Sequence, residues 1–307
     1  MIKRILSVQS HVVHGHVGNK SATLPLQLLG FEVDALNTVQ FSNHSGYPKV
    51  TGEKLNAETL LEIIAGLDLN GMLGLYTHIL TGYVGSIETL ESLSEMIKMT
   101  KSKNASVCVL VDTVMGDNGR MYVPSSFLGC YKKLLGLADI ITPNGFEACL
   151  LADMEIKSDS DLSKAFEKLH ALGPSIVIIT SIAVDRTLIL AGSCEGAQFR
   201  FPIDEIRAPF HFTGTGTFRI IIGDLFAALL IGYAGNNLTF GNIQRACAKA
   251  IHTLRIVLEK TLLLNRTELA IVPCIREIQA SGPEFRMDDI AAIPGDPPAP
   301  EILSKLD

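Results

Sequence analysis

Residues 75–112 read LYTHILTGYVGSIETLESLSEMIKMTKSKNASVCVLVD, and they contain the pattern on which the fold prediction rests. An apolar, β-branched run (75–83) is followed by a segment of helical periodicity (87–102) and then by a second apolar run (106–112). Short apolar runs bounded by turn residues are typical of buried strands, and the order strand, helix, strand is typical of a βαβ unit. This stretch therefore predicts parallel strands covered by helices.

The same alternation continues through the rest of the chain. Further strand-like runs lie at 2–8, 31–39, 138–143, 175–180 and 187–192. Helical segments lie at 22–30, 57–67, 160–173, 223–235 and 242–264. Together they predict an α/β fold with a central, mainly parallel sheet and helices on both faces. We expect one domain over residues 1–290, followed by a flexible tail at 291–307, where four prolines oppose regular structure.

Composition excludes several classes of protein. The 307 residues are 47% hydrophobic and 19% charged, and the formal net charge of −6 does not indicate a nucleic-acid partner. No run reaches the roughly 20 apolar residues of a membrane span, and the N-terminus lacks the features of a signal peptide. Six cysteines are scattered without a metal-binding spacing. We therefore expect a cytoplasmic protein without a membrane partner.

Polar side chains collect where the predicted strands end. Ligands of such sheets bind beyond the carboxyl ends of the strands. A single cap or turn residue would explain any one of these side chains, but the whole set indicates a site. Asp112, Asp117 and Glu147 offer the oxygen ligands that Mg²⁺ prefers, directly or through water. The set comprises Ser10, Asn43, His44, Ser45, Tyr83, Asp112, Asp117, Thr142, Asn144, Glu147, Thr180 and Ser181.

A second feature is the stretch HFTGTGTFRIIIGDLFAALL at 211–230. A Gly-Thr-Gly turn (214–216) that leads into a helix exposes backbone N–H groups at the positive end of the helix dipole, which favours anion binding. A carboxylate at the same helix end, Asp224, can accept a proton from a substrate hydroxyl during phosphoryl transfer. The simpler alternative is that Asp224 only caps the helix. Here six residues separate the turn from Gly223 and Asp224.

These motifs resemble those of the pyridoxal kinases, the vitamin B6 kinases of the ribokinase-like fold. The resemblance covers about residues 5–258. Its most specific part is SVQSHVVHGHVGNKSATLPLQLLGFEVDALNTVQFSNHSGY at 7–47, and it continues in LTGY, MYVP, LADIITPNGFEACLL and the split GTG…GDLFAALL. A GTGD motif alone would indicate only the ribokinase-like superfamily.

The resemblance implies ATP-dependent phosphorylation of the 5′-hydroxymethyl group of pyridoxal, pyridoxine or pyridoxamine. It also implies Mg²⁺, a monovalent cation such as K⁺, and a homodimer. The residues that it places around the pyridine ring are Ser10, Val39, Phe41, His44, Ser45 and Tyr83. Those that it places on the nucleotide side are Asp112, Asp117, Tyr122, Asn144, Thr180 and Ser181. For the metal it implies Asp112, Thr142 and Glu147. For catalysis it implies Asp224 as the base, with Gly214, Thr215, Gly216 and Gly223 around the transferred phosphoryl group.

The chain departs from the family pattern in two places. Thr113 replaces a proline after Asp112, which frees the backbone φ angle without necessarily moving the carboxylate. The larger departure is an insertion, since removing either 217–223 or 216–222 restores the uninterrupted motif FTGTGDLFAALL. In one arrangement the insertion loops out and Gly223-Asp224 returns to the helix start. In the other, residues 222–224 form a new turn and the Gly-Thr-Gly turn is displaced.

Three hypotheses follow from the insertion. The first is an active pyridoxal kinase with Asp224 as base. The second is a catalytically impaired relative that binds a B6 vitamer or nucleotide without efficient turnover. The third is that the insertion is a product of alternative splicing or of a mispredicted exon boundary. A kinase for another alcohol is a weaker alternative, because the SVQS and QFSNHSGY segments are intact.

Overall fold

The computed structural model describes residues 2–203 and 222–280, so the predicted tail (291–307) and the Gly-Thr-Gly turn (214–216) lie outside the described residues. The strands are β1 Lys3–Val12, β2 Phe31–Phe41, β3 Gly52–Lys54, β4 His78–Thr81, β5 Cys108–Val111, β6 Gly116–Asp117, β7 Arg120–Met121, β8 Ile140–Ile141, β9 Ile176–Val184, β10 Thr187–Cys194 and β11 Ala197–Pro202. The α-helices are α1 Asn19–Leu28, α2 Ala57–Leu69, α3 Ile87–Lys103, α4 Phe127–Leu135, α5 Gly145–Ala152, α6 Asp159–His170, α7 Gly223–Ala234, α8 Phe240–Leu263 and α9 Ile275–Gln279. Short 3₁₀ turns lie at Leu73–Leu75 and Val272–Cys274.

Nine of the strands form one sheet, in the order β11-β10-β9-β8-β5-β4-β1-β2-β3. The six strands from β9 to β2 pair in parallel, whereas β10 and β11 at one edge and β3 at the other are antiparallel. Strand β1 lies between β4 and β2: the chain passes from β1 to β2 on one side and, after β3, enters β4 on the other. A crevice at such a point is where open α/β sheets bind ligands.

Helices cover both faces of this sheet, which confirms the predicted fold class. Helices α1, α7, α8 and α9 pack on one face, and α2 to α6 pack on the other. Adjacent residues of a strand alternate between the two cores: Leu110 belongs to the core with α7 and α8, and Val109 and Val111 belong to the opposite core. Strands buried on both faces explain the continuous apolar runs of the sequence.

The structure also differs from the predictions at particular elements. The run at 75–83 forms strand only at β4, because its first residue belongs to a 3₁₀ turn. Helix α1 begins at Asn19, three residues before the predicted start, and it contains Pro25. The sequence patterns did not predict β3, β6, β7, β11, α4, α5 or α9. Helix α5 was missed because its polar first turn resembles a loop, although a capping box of Asn144 and Glu147 starts it.

Helix α7 is buried on nearly all sides. Every side chain from Leu225 to Ile231 is fully buried, and the helix lies between α1, α8 and the sheet. A helix that is apolar all round is typical of a protein core. Among the described residues, no helix is long and apolar enough to cross a membrane.

The burial of α7 leads to a prediction for stability. Phe226→Ala removes a fully buried aromatic ring and should lower the free energy of unfolding by about 3–5 kcal/mol. Leu263→Ala, at an exposed position of α8, is the matched control and should change it by less than about 0.5 kcal/mol. Denaturant unfolding of both variants measures the difference. Equal effects of the two substitutions would contradict the position assigned to α7.

Candidate active site

The first turn of α7 reaches the loop that follows β1. The Asp224 carboxylate accepts a hydrogen bond from the backbone N–H of Gly18, with 2.7 Å between Oδ2 and N. Gly18 has a φ of 53°, and a Cβ atom at this position would lie 2.0 Å from the carbonyl oxygen of Ser10. Only glycine allows the loop to lie this close to β1. The position of Asp224 therefore depends on a glycine next to the carboxyl end of β1.

Asp112 lies on the other side of the α7 terminus. It directly follows β5, and its Oδ1 accepts a hydrogen bond of 2.7 Å from the Thr142 hydroxyl. Its Oδ2 is buried and has no hydrogen-bond partner among the described residues. A Cβ atom on Gly223 would lie 3.0 Å from this oxygen. Gly223 therefore lets the helix start approach a buried carboxylate oxygen that is open to a further ligand.

The two carboxyl groups influence each other. Burial and the charge of Asp224 raise the pKa of Asp112 to about 7, against the opposing hydrogen bond from Thr142. Burial also raises the pKa of Asp224, and the N–H group of Gly18 opposes this shift. A general base works best when its pKa is close to the operating pH. Both carboxyl groups therefore hold a proton more strongly than an exposed aspartate does.

Glu147 holds the loop after β5. Its Oε1 accepts from the N–H groups of Met115 (2.8 Å) and Gly116 (3.2 Å), and its Oε2 accepts from Asn144 N–H (3.0 Å) and the Thr113 hydroxyl (3.3 Å). Burial and the Asp112 charge raise the pKa of Glu147 to about 8, while the backbone donors lower it. Four donors occupy the lone pairs of a carboxylate. Glu147 therefore has no free lone pair with which to contact a metal ion directly.

The predicted nucleotide side is formed by the β6–β7 hairpin and the ends of β8 and β9. The Asn144 side chain donates to the carbonyl of Gly116 at 2.7 Å, which ties the hairpin to α5. The whole Tyr122 residue is 56% exposed, but its hydroxyl group is partly buried. This burial and the charges of Asp117 and Glu147 raise the pKa of Tyr122 to about 12. Thr180 and Ser181 are buried in β9, where the N–H of Thr180 donates to the carbonyl of Pro143. In the sheet order, β8 and β9 lie beyond β5, on the side away from β1.

The predicted substrate residues lie on the other side, around β1, β2 and β4. The Thr38 hydroxyl of β2 donates to the carbonyl of Tyr83 at 2.6 Å, so β2 is tied to the segment after β4. Burial raises the pKa of Tyr83. Ser45 is exposed, whereas the neighbouring His44 is buried. The remaining members are Ser10 at the end of β1 and Val39 and Phe41 at the end of β2.

Sequence reasoning did not identify two residues at this site. Gly18 belongs to GNKS, a segment without the spacing of a phosphate-binding loop, but its N–H group holds Asp224. Glu268 lies beyond α8 and accepts a hydrogen bond from His44, 224 positions earlier in the chain. No local motif marks either residue. A contact between segments so far apart in sequence depends on the packing of the whole sheet.

The raised pKa of Asp112 leads to a pH-dependent prediction. Between about pH 4 and pH 7, Asp112 keeps its proton in the native state but loses it in the unfolded chain. The free energy of unfolding therefore falls as the pH rises through that range. Asp112→Asn should therefore raise the free energy of unfolding relative to the natural chain at pH 8 but not at pH 4. The expected increase at pH 8 is about 1.4 kcal/mol for each pKa unit of the shift. Denaturant unfolding at both pH values, without divalent cations, measures this difference.

The matched control is Asp185→Asn in the exposed turn between β9 and β10. This substitution should have the same small effect at both pH values. An Asp112→Asn effect that does not change between pH 4 and pH 8 would contradict the raised pKa.

Comparisons with known proteins identify the family of the chain. A family model described as phosphomethylpyrimidine kinase matches residues 76–217. The match ends at the first residue of the insertion if the inserted residues are 217–223. The pyridoxal kinase of Arabidopsis thaliana is 45% identical over 266 residues, which cover 84% of this chain and 82% of the relative. The pyridoxal kinase of Homo sapiens is 40% identical over 278 residues, which cover 84% and 85%.

The fold is similar to solved structures of the same family. The pyridoxal kinase from Leishmania donovani in complex with ADP and pyridoxine has a TM-score of 0.80 at 34% identity, over 92% of this chain and 97% of that one. The identities and the coverage exceed what a shared fold alone would produce. The chain belongs to the pyridoxal kinase family, with its ribokinase-like α/β fold.

Proposed function

We propose that this protein transfers the γ-phosphoryl group of ATP to the 5′-hydroxymethyl group of pyridoxal, pyridoxine or pyridoxamine, with Asp224 as the general base. The observation that carries the proposal is the position of Asp224. Despite the insertion, it lies at the first turn of α7, on the N–H group of Gly18 and beside Asp112. The Gly-Thr-Gly turn is not among the described residues, so this position of Asp224 is compatible with both arrangements of the insertion.

The environment of Asp224 suits proton transfer. Oδ2 is held by Gly18, and among the described residues no hydrogen bond to Oδ1 occurs. The raised pKa of this carboxyl increases its affinity for the proton that the substrate hydroxyl loses. The first N–H groups of α7 lack partners within the helix and point toward the same region. They can stabilise the negative charge of the transferred phosphoryl group.

Asp112 is the residue best suited to contact Mg²⁺. Its buried Oδ2 has no hydrogen-bond partner among the described residues, and Mg²⁺ in nucleotide sites takes one or two carboxylates together with phosphates and waters. The described residues contain no cluster of three or more His, Cys, Asp or Glu side chains suited to a metal. When bound, Mg²⁺ neutralises phosphate charge. Thr142 orients Asp112, and Glu147 fixes the adjacent loop.

The remaining parts of the proposal rest on family membership. They are a K⁺ ion beside Mg²⁺, a homodimer and a cytoplasmic location. The contribution of Gly214, Thr215 and Gly216 to the anion site also belongs to the proposal. The second candidate, a relative that binds ligands without efficient turnover, is favoured by one observation: seven extra residues interrupt the motif that joins this turn to Asp224.

A kinase assay separates the two candidates. The natural chain and a variant lacking residues 217–223 are compared with pyridoxal, MgATP and K⁺, and pyridoxal binding is measured in parallel. We expect both proteins to turn over at comparable rates, because core packing holds Asp224 in place in the natural chain. Turnover by the deletion variant alone, with pyridoxal bound by both, would replace this proposal with the binding function.

Substitution of the base gives a separate test. Asp224→Ala should lower kcat by about 10²–10⁴-fold, because it removes the group that accepts the proton, while the Kd for pyridoxal changes by no more than a few-fold. Glu62→Ala, on the exposed surface of α2, is the control and should leave kcat unchanged. Steady-state kinetics with calorimetric binding provide both values. Full turnover in Asp224→Ala would exclude Asp224 as the base.

A further inference from the structure

Glu268 connects two loops that line the candidate substrate site. Its Oε2 accepts a hydrogen bond from the backbone N–H of His16, in the loop after β1, at 3.1 Å. Its Oε1 accepts from the Tyr47 hydroxyl at 2.8 Å and lies 3.1 Å from Nε2 of His44, both in the loop between β2 and β3. A Cβ atom on Gly15 would lie 2.4 Å from Oε2, so the first loop passes directly against this carboxylate.

The protein core fixes the position of Glu268. The next three residues, 269–271, are almost completely buried under α8. The N–H group of Ala270 donates to the Thr261 hydroxyl at 2.9 Å, and that hydroxyl in turn donates to the carbonyl of Val257 within α8. The Glu268 side chain is only 12% exposed. The carboxylate is therefore a rigid point against which the two loops are held.

The contact determines which nitrogen of His44 carries a proton. The N–H group of Gly46 donates to Nδ1 of His44 at 3.1 Å, so Nδ1 acts as the acceptor. Nε2 then carries the hydrogen and donates it to Glu268. Burial raises the pKa of Glu268, but hydrogen bonds from His44 and Tyr47 outweigh it and lower the pKa overall. An ionised carboxylate accepts all three hydrogen bonds without a proton of its own.

The two loops carry residues that the proposed function needs. The first loop ends at Gly18, which holds Asp224, and the second contains His44 and Ser45. The His44 and Tyr47 rings also pack against each other, with 4.8 Å between their centroids. Within the described residues, no hydrogen bond joins Glu268 to a residue of the predicted nucleotide side. The effect of this carboxylate is therefore directed to one of the two substrates.

We propose that Glu268 is a positioning residue for the B6 vitamer: by holding His44 and the loop after β1 together, it sets the affinity for the pyridine substrate and not for the nucleotide. This inference rests on the proposed function. Glu268 acts through His44 and Tyr47 and does not itself take part in phosphoryl transfer.

The test is Glu268→Gln, which keeps the shape of the side chain but has one acceptor oxygen for three donors. We expect the KM and Kd for pyridoxal to rise roughly 10- to 100-fold, as for the loss of a hydrogen bond to a charged group, while the KM for MgATP stays within about twofold. Glu259→Gln, an exposed carboxamide substitution on α8, is the matched control and should change none of these values.

Two further measurements distinguish positioning from a general loss of stability. Tyr47→Phe and the double variant complete a cycle in which the two substitutions should be non-additive for pyridoxal binding, because they share one carboxylate. Hydrogen exchange in Glu268→Gln should increase at 13–18 and 42–50 together. Equal weakening of pyridoxal and MgATP, or an unchanged pyridoxal Kd, would overturn the inference. Wild-type turnover is the separate criterion for the proposed function, since it does not depend on the variant.

Discussion

The buried helix α7 is the constraint on which the site depends. Its side chains pack against α1, α8 and the sheet on all sides, so its axis cannot shift without opening the core. The direction of this axis places its N-terminal N–H groups between the ends of β1 and β5. Asp224 then meets the N–H group of Gly18, and Gly223 meets the Asp112 carboxylate. Packing energy far from the chemistry thus determines where the proposed base lies.

The buried position of α7 limits what the insertion can change. The core holds α7 in place. We therefore expect the seven extra residues to affect mainly the part of the chain before Gly223. The closure entropy of a longer loop rises only logarithmically with its length, so global folding tolerates the addition. A displacement of about 1 Å at a reacting centre is far more costly to catalysis than to stability. Activity therefore depends on where the Gly-Thr-Gly turn lies relative to Asp224.

The number of hydrogen-bond donors around each buried acid indicates its function. Glu147 accepts from four donors, and its lone pairs are occupied, which suits a residue that fixes a loop. Glu268 accepts from three donors on two loops, which suits a residue that positions them. Asp112 has one donor and one buried oxygen without a partner in the described residues. An unsatisfied buried oxygen is costly, and a bound cation would remove that cost.

The sequence by itself determined most of the longer strands and helices, the mainly parallel character of the sheet and the polar residues at the strand ends. These features are encoded locally, because periodicity reports which face of an element is buried. Short elements such as β6 and β7 are held by their neighbours and have too few residues for a pattern. Only the tertiary structure decided that Asp224 lies beside Asp112, that Gly18 holds Asp224, and that Glu268 contacts His44. Such contacts join segments far apart in the chain, so they follow from the packing of the whole fold and leave no signal in the local sequence.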